Sequence, residues 1–130
     1  MKELLNRDFR IWAYTVSHSF LIIRSPMIYK DVDGHESAPY NIDIEFSAVE
    51  YLDIPKSLSG ISINEIKDRI PKKFSKYTSS SGLKIYEIKS NAKIYYILAG
   101  GYRIGKNEWE LEDRISNMEL EYDEILASSI

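Results

Sequence analysis

The sequence predicts an α+β domain: a curved, mainly antiparallel β-sheet, or an open β-barrel, with one main helix around residues 62–70. Three observations carry this. Tyr40, Ile42, Ile44, Phe46 and Ala48 alternate with Asn41, Asp43, Glu45 and Ser47, which is the period of a strand. Ser62 and Glu65 have the S-x-x-E spacing of a helix-capping box, followed by Ile66 and Ile70 at helical spacing from Ile63. Apolar strand patterns precede and follow that segment without the regular alternation of a βαβ fold.

Each element follows in order. Phe9 to Arg24 is rich in aromatic and β-branched residues and reads as two strands turning at Ser17-His18-Ser19. Ser25-Pro26 ends the second, because proline cannot donate to a ladder. Asp31 to Pro39 reads as a polar loop. From Tyr40 to Ile54 the alternation gives one dry face and one wet, acidic face. Its phase slips after Ala48, as a β-bulge produces. Pro71 ends or kinks the helix, and Phe74 and Tyr77 extend its stripe. Leu83–Lys89 and Lys93–Ile104 form a hairpin about Ser90-Asn91-Ala92, since asparagine tolerates the left-handed conformation of tight turns. Its second strand is apolar on both faces, which implies double-sided burial, and Gly100-Gly101 permits a bend. Around Trp109 and again around Tyr122, apolar and acidic residues alternate as in edge strands, with a short helix up to Ala127 as the alternative for the last segment. That makes five to seven strands.

Length and composition fit one globular domain spanning 1–130. The chain is 44% hydrophobic and 28% charged, and no composition shift marks a boundary. No cysteine is present, so disulfides and thiolate chemistry are excluded. Met1 to Arg10 has no apolar signal region, and the longest strictly apolar run is Phe20–Ile23, far short of the roughly 20 residues that cross a bilayer. A cytoplasmic protein without membrane contact is the expectation.

The net charge of −3 hides segregation. Residues 56–106 carry eleven bases and three acids. Residues 107–130 carry eight acids against Arg114 alone, and residues 36–55 carry five acids and no base. Ten tyrosines and two tryptophans accompany these charges.

No complete catalytic set emerges. Gly100 to Asn107 approaches the phosphate loop GxxxxGK[ST], but Asn107 replaces the hydroxyl residue and a strand pattern follows where a helix is required. His18 and His35 have no metal-ligand spacing, and Asp31-x-Asp33-Gly34 is only a fragment of an EF-hand loop. Ser17 and His18 are adjacent and would point apart on a strand, against a nucleophile–base pair. Asp43 and Glu45, about 7 Å apart along one strand face, could form an acid/base pair, yet alternate acids on a wet strand are ordinary. No catalytic residue, metal site or cofactor is expected.

Recognition remains. Tyrosine and tryptophan anchor protein interfaces, and acidic residues steer a basic partner. The expected function is a small non-catalytic protein-binding domain. Its contact residues are Asp43, Glu45, Trp109, Glu110 and Glu112, and its partner is a basic protein or a second copy. In being small, acidic, cysteine-free and β-rich, the chain resembles bacterial immunity proteins, which neutralise toxins by binding them. The resemblance is one of type, carried by no motif, and it implies an inhibitory role. The alternative is single-stranded nucleic-acid binding by a hairpin that interleaves bases and rings: Lys84, Tyr86, Lys89, Lys93 and Tyr95. The acidic tail, competing for the same basic patch, weighs against it.

Overall fold

The computed structural model describes residues 2–27, 39–77, 82–109 and 121–129. The one-turn helix α1 (Lys2–Leu5) is followed by strands β1 (Asp8–Thr15), β2 (Phe20–Ser25), β3 (Asn41–Ser47), β4 (Tyr51–Asp53) and β5 (Ser57–Ser59). Then come β6 (Ser62–Ile66), β7 (Lys84–Ser90), β8 (Lys93–Ala99), β9 (Gly101–Asn107) and β10 (Glu124–Ser128). Two 3-10 segments, Val16–His18 and Lys72–Tyr77, are also found among the described residues.

The strands form two antiparallel sheets. The larger runs β10-β9-β3-β2-β1-β5 and the smaller β4-β8-β7-β6. Three strand pairs are continuous across the sheets. β3 passes into β4 at Ala48, β5 into β6 at Gly60, and β8 into β9 at Gly100. Ala48 and Gly60 sit in the left-handed region at φ 51° and 61°. At Gly60 a side chain is also excluded by space, since a Cβ would lie 2.6 Å from the Leu5 carbonyl oxygen. The bent ribbon β3/β4 stays paired with β9/β8 through its corner, where Gly100 N–H donates to Ser47 O and Glu50 N–H to Leu98 O, each at 2.8 Å. Because β5 pairs with β1 and β6 with β7, the pairing returns on itself and the two sheets form a barrel-like wall.

Inside lie Phe9, Leu21, Ile23, Ile44, Phe46, Ile88 and Ile97, with Leu4 of α1 buried among the same core residues. Alternation places the other face of each strand outside, and two outer clusters cover it. On the larger sheet, Phe20 and Ile22 lie beneath Trp12, Trp109 and Tyr122. On the smaller, Ile85 and Leu98 lie beneath Phe74, Tyr51 and Tyr96. This second cover explains why residues 95–99 are apolar on both faces.

The hairpins match the sequence expectation. β1 and β2 turn through 16–19, and β7 and β8 turn at Asn91-Ala92, both with positive φ. The helix at 62–70 is not found, because Ser62–Ile66 is strand β6, paired with β7 over five residues. Ile63 opposes Ile88 on the inner face and Ile66 opposes Ile85 on the outer. Two apolar residues three apart, one per buried face, imitate a helical stripe. Isoleucine's β-branch favours the strand. Phe74 and Tyr77 belong to the separate 3-10 segment.

The wet acidic face of β3 is likewise not found. Asn41 to Phe46 is buried on both sides, with Asp43 fully enclosed. The last segment is a strand, not a helix. The strand expected beyond Trp109 and the Asp31-x-Asp33-Gly34 fragment with His35 lie outside the described residues.

Candidate functional site

The polar residues on the outside of the larger sheet assemble from three neighbouring strands, β2, β3 and β9. Arg24 on β2 follows the run Phe20–Ile23 and shares its outer parity with Phe20 and Ile22, opposite Asp43 on β3. Its Nε donates to Asp43 Oδ1 at 2.6 Å and its Nη2 to Oδ2 at 2.9 Å, a two-pronged pair. Asn107 of β9 donates to the same Oδ2 at 2.7 Å, and its own carbonyl accepts from Asn41 Nδ2 at 2.7 Å. Arg24, Asp43, Asn41 and Asn107 are all at most 2% exposed. Beside them Arg103 Nη2 donates to both oxygens of Glu45, at 3.1 and 2.9 Å. Charges thus cancel within the layer, as burial requires.

This network also fixes two chain exits. Asn41 Oδ1 accepts from Met27 N–H at 2.7 Å, while Asn41 Nδ2 reaches Trp109 O at 3.0 Å. Trp109 N–H donates to Asn107 Oδ1 at 3.1 Å. Arg7 binds Ser25 Oγ and the carbonyls of Pro26 and Tyr40 from the other side. Residues 27, 40–41 and 109 are therefore held together at one end of the sheet.

An aromatic layer lies above the charges. Trp109 and Tyr122 stack with ring centroids 5.2 Å apart. Arg24 and Arg10 sit over Trp12 at 5.0 and 4.8 Å, and Arg103 over Tyr122 at 5.4 Å. Tyr122 fits because residue 105 is glycine: a Cβ there would come within 2.4 Å of the ring. Burial, reinforced by the Glu45 and Asp43 carboxylates, pushes the Tyr122 phenol far above its ordinary value. Among the described residues its buried oxygen meets no partner of good hydrogen-bond geometry, although the Glu45 carboxylate lies close to it. Trp12, Trp109 and Tyr122 remain partly exposed.

Of the expected contact residues, the structure brings Asp43, Glu45 and Trp109 together, but not as an acidic surface. Asp43 accepts three hydrogen bonds and Glu45 is held by Arg103, so neither is offered to a partner or poised as an acid/base pair. Glu110 and Glu112 lie outside the described residues. The expected nucleic-acid hairpin does not form one face. Tyr86 is fully buried, with its hydroxyl 3.1 Å from Ser129 Oγ, and Tyr95 packs on the core. Lys89 is on the opposite, outer side beside Glu87, Lys93 is exposed at the turn, and Lys84 is half-buried near Glu65.

Ser17 and His18 do meet, Oγ to Nδ1 at 3.0 Å, because 16–18 is a 3-10 turn instead of a strand; the pair is exposed. Gly100 to Asn107 is a sheet corner and β9, and Lys106 sits 4.3 Å over Tyr40 and beside Glu124. Among the described residues no three His, Asp or Glu side chains converge as metal ligands. A cleft of about 490 Å3 opens along the β1–β5 edge, lined by Asp8, Arg10, Pro26, Leu58 and Asn91. Its carboxylate, on Asp8, already accepts from Ser59 Oγ at 2.8 Å.

Sequence reasoning missed Trp12, Arg24, Asn41, Asn107 and Tyr122. A signal existed: an arginine at outer parity in one strand and an aspartate in the strand expected to pair with it. No family model, curated protein or solved structure matches this chain.

Proposed function

We propose that the chain is a small non-catalytic protein-binding domain that meets its partner through the outer face of the larger sheet, around Trp12, Trp109 and Tyr122. The observation that supports this is a partly exposed cluster of two tryptophans and a tyrosine bordered by Arg10 and Arg103. These are the residue types that anchor interfaces. The cluster rests on a satisfied ionic layer, so its rings are pre-positioned and binding orders little. Both Trp109 and Tyr122 lie within the acidic sequence 107–130, which favours a partner with a basic surface. Inhibition of such a partner by occlusion, as an immunity-type protein would act, is the biological form of this reading.

Affinity capture from native extract tests it with three forms of the protein: wild type, Trp109→Ala and Lys89→Glu. The tryptophan change leaves the backbone bonds of residue 109 to Asn41 and Asn107 in place. One protein retained by wild type and Lys89→Glu, with Trp109→Ala weakening it about thirtyfold, is the expected result, as for an interface anchor near 2 kcal/mol. Undiminished capture by Trp109→Ala refutes the proposal. Recovery of nucleic acid, lost with Lys89→Glu, establishes the alternative.

A further inference from the structure

The outer cluster of the smaller sheet holds an ammonium group at its surface. Lys73, in the 3-10 segment, places Nζ 5.2 Å from the ring centroid of Tyr96, 5.3 Å from that of Phe74 and 5.4 Å from that of Tyr51. The carboxylate of Asp53 completes the enclosure with an ion pair. The walls come from β4, β8 and the 3-10 segment. The rings brace one another edge to face, Tyr51 on Phe74 at 5.1 Å and Phe74 on Tyr96 at 5.5 Å. Three π-faces and one carboxylate around a cation form an aromatic cage, the arrangement by which proteins recognise alkylated ammonium ions. The cage is open to solvent, since the Lys73 and Asp53 side chains are 40% and 45% exposed.

We propose that this cage is a receptor for a methylated lysine side chain of another polypeptide, and that Lys73 is its resident competitor. The occupant itself argues for a lysine: the group these three rings hold is a lysine ammonium. Methylation supplies the advantage an incoming lysine needs. A methylated ammonium is less strongly hydrated than the –NH3+ of Lys73, so it loses less on entering between the rings while keeping its charge. Asp53 adds a preference within the class. A dimethylammonium retains one N–H to donate to the carboxylate, whereas a trimethylammonium has none. Competition by the tethered lysine sets the threshold. If the cage is free about a tenth of the time, an outside ligand binds about tenfold more weakly than to an empty cage. This site lies on the smaller sheet and does not depend on the function proposed above.

The test is a titration of the intact chain with Nα-acetyl-Nε,Nε-dimethyllysine methylamide, followed by the ring-proton NMR signals of Tyr51, Phe74 and Tyr96. Wild type should show saturable shifts confined to these rings. Lys73→Gln, which keeps the first two methylenes of the stem and removes the competing cation, should bind about tenfold tighter, and Lys73→Gln with Tyr96→Leu should lose the shifts. Circular dichroism and the Phe74 signals establish that the single variant is folded with its 3-10 segment in place. If Lys73→Ala and Lys73→Gln both keep the fold and neither gives saturable shifts, Lys73 is a structural staple and the proposal is wrong. Choline binding as tightly as the lysine derivative would overturn the lysine assignment, because the site would then read the ammonium alone. Unmethylated lysine binding equally well would overturn the role of methylation.

Discussion

The two outer faces use the same pairing chemistry at opposite depths. On the larger sheet, Arg24 and Asp43 are essentially without solvent contact and lie beneath Trp12 and Trp109. On the smaller sheet, Lys73 and Asp53 pair above Tyr51 and Tyr96, with nearly half of each side chain in water. Depth decides what each pair does. A buried pair contributes little net stability against desolvation, but losing one partner is costly, so it specifies strand register and position. An exposed pair is screened and exchangeable, so the fold tolerates its loss and a competitor can replace it.

The largest effect is expected from Asp43→Ala. It removes the carboxylate that takes two hydrogen bonds from Arg24 and one from Asn107, and should cost about 3–5 kcal/mol in denaturant unfolding. The double replacement Arg24→Met with Asp43→Leu should be less damaging than Asp43→Ala alone. A loss in the double variant equal to the sum of two large single losses would break the comparison.

Gly105→Ala comes next. The added methyl overlaps the Tyr122 ring, so the ring must leave, at about 1–3 kcal/mol. Tyrosinate absorbance sharpens the reading. In the wild type the folded state holds the Tyr122 proton, so this group leaves stability flat below the ordinary phenol value of 10.0 and lowers it as pH rises above. In Gly105→Ala one more tyrosine should ionise near that ordinary value, with a smaller alkaline loss of stability.

Asp53→Asn should have the least effect, about 0–1 kcal/mol and smaller still in high salt, measured by the same unfolding curves. A loss approaching that of Asp43→Ala would show that exposure does not separate the two faces.

Much of the sheet was legible because local chemistry and burial agree. Asn91 supplies the left-handed turn, and the alternation from Asn41 to Phe46 assigns each side chain to its observed face. The phase slip after Ala48 is the corner where β3 leaves one sheet for the other. Two readings failed for one reason: the covering groups are remote in sequence. Ile63 and Ile66 read as a helical stripe until each face of β6 is seen to have its own cover, Ile88 with the inner core and Ile85 with the outer cluster. Asp43 and Glu45 read as solvated until Arg103, Trp109 and Tyr122, about sixty or more positions later, close over them. Alternation reports which face a residue is on; it carries no information about what lies opposite.

Asn41 has a consequence for how this chain can change. Its amide fixes Met27 and Trp109, and Arg7 fixes Pro26 and Tyr40, so the chain ends flanking 28–39 are tied down on the barrel wall itself. Lengthening such a tethered stretch costs little, only about 0.6 kcal/mol of closure entropy per doubling. The wall's own side chains, Arg7 and Asn41, set where the chain leaves and re-enters it.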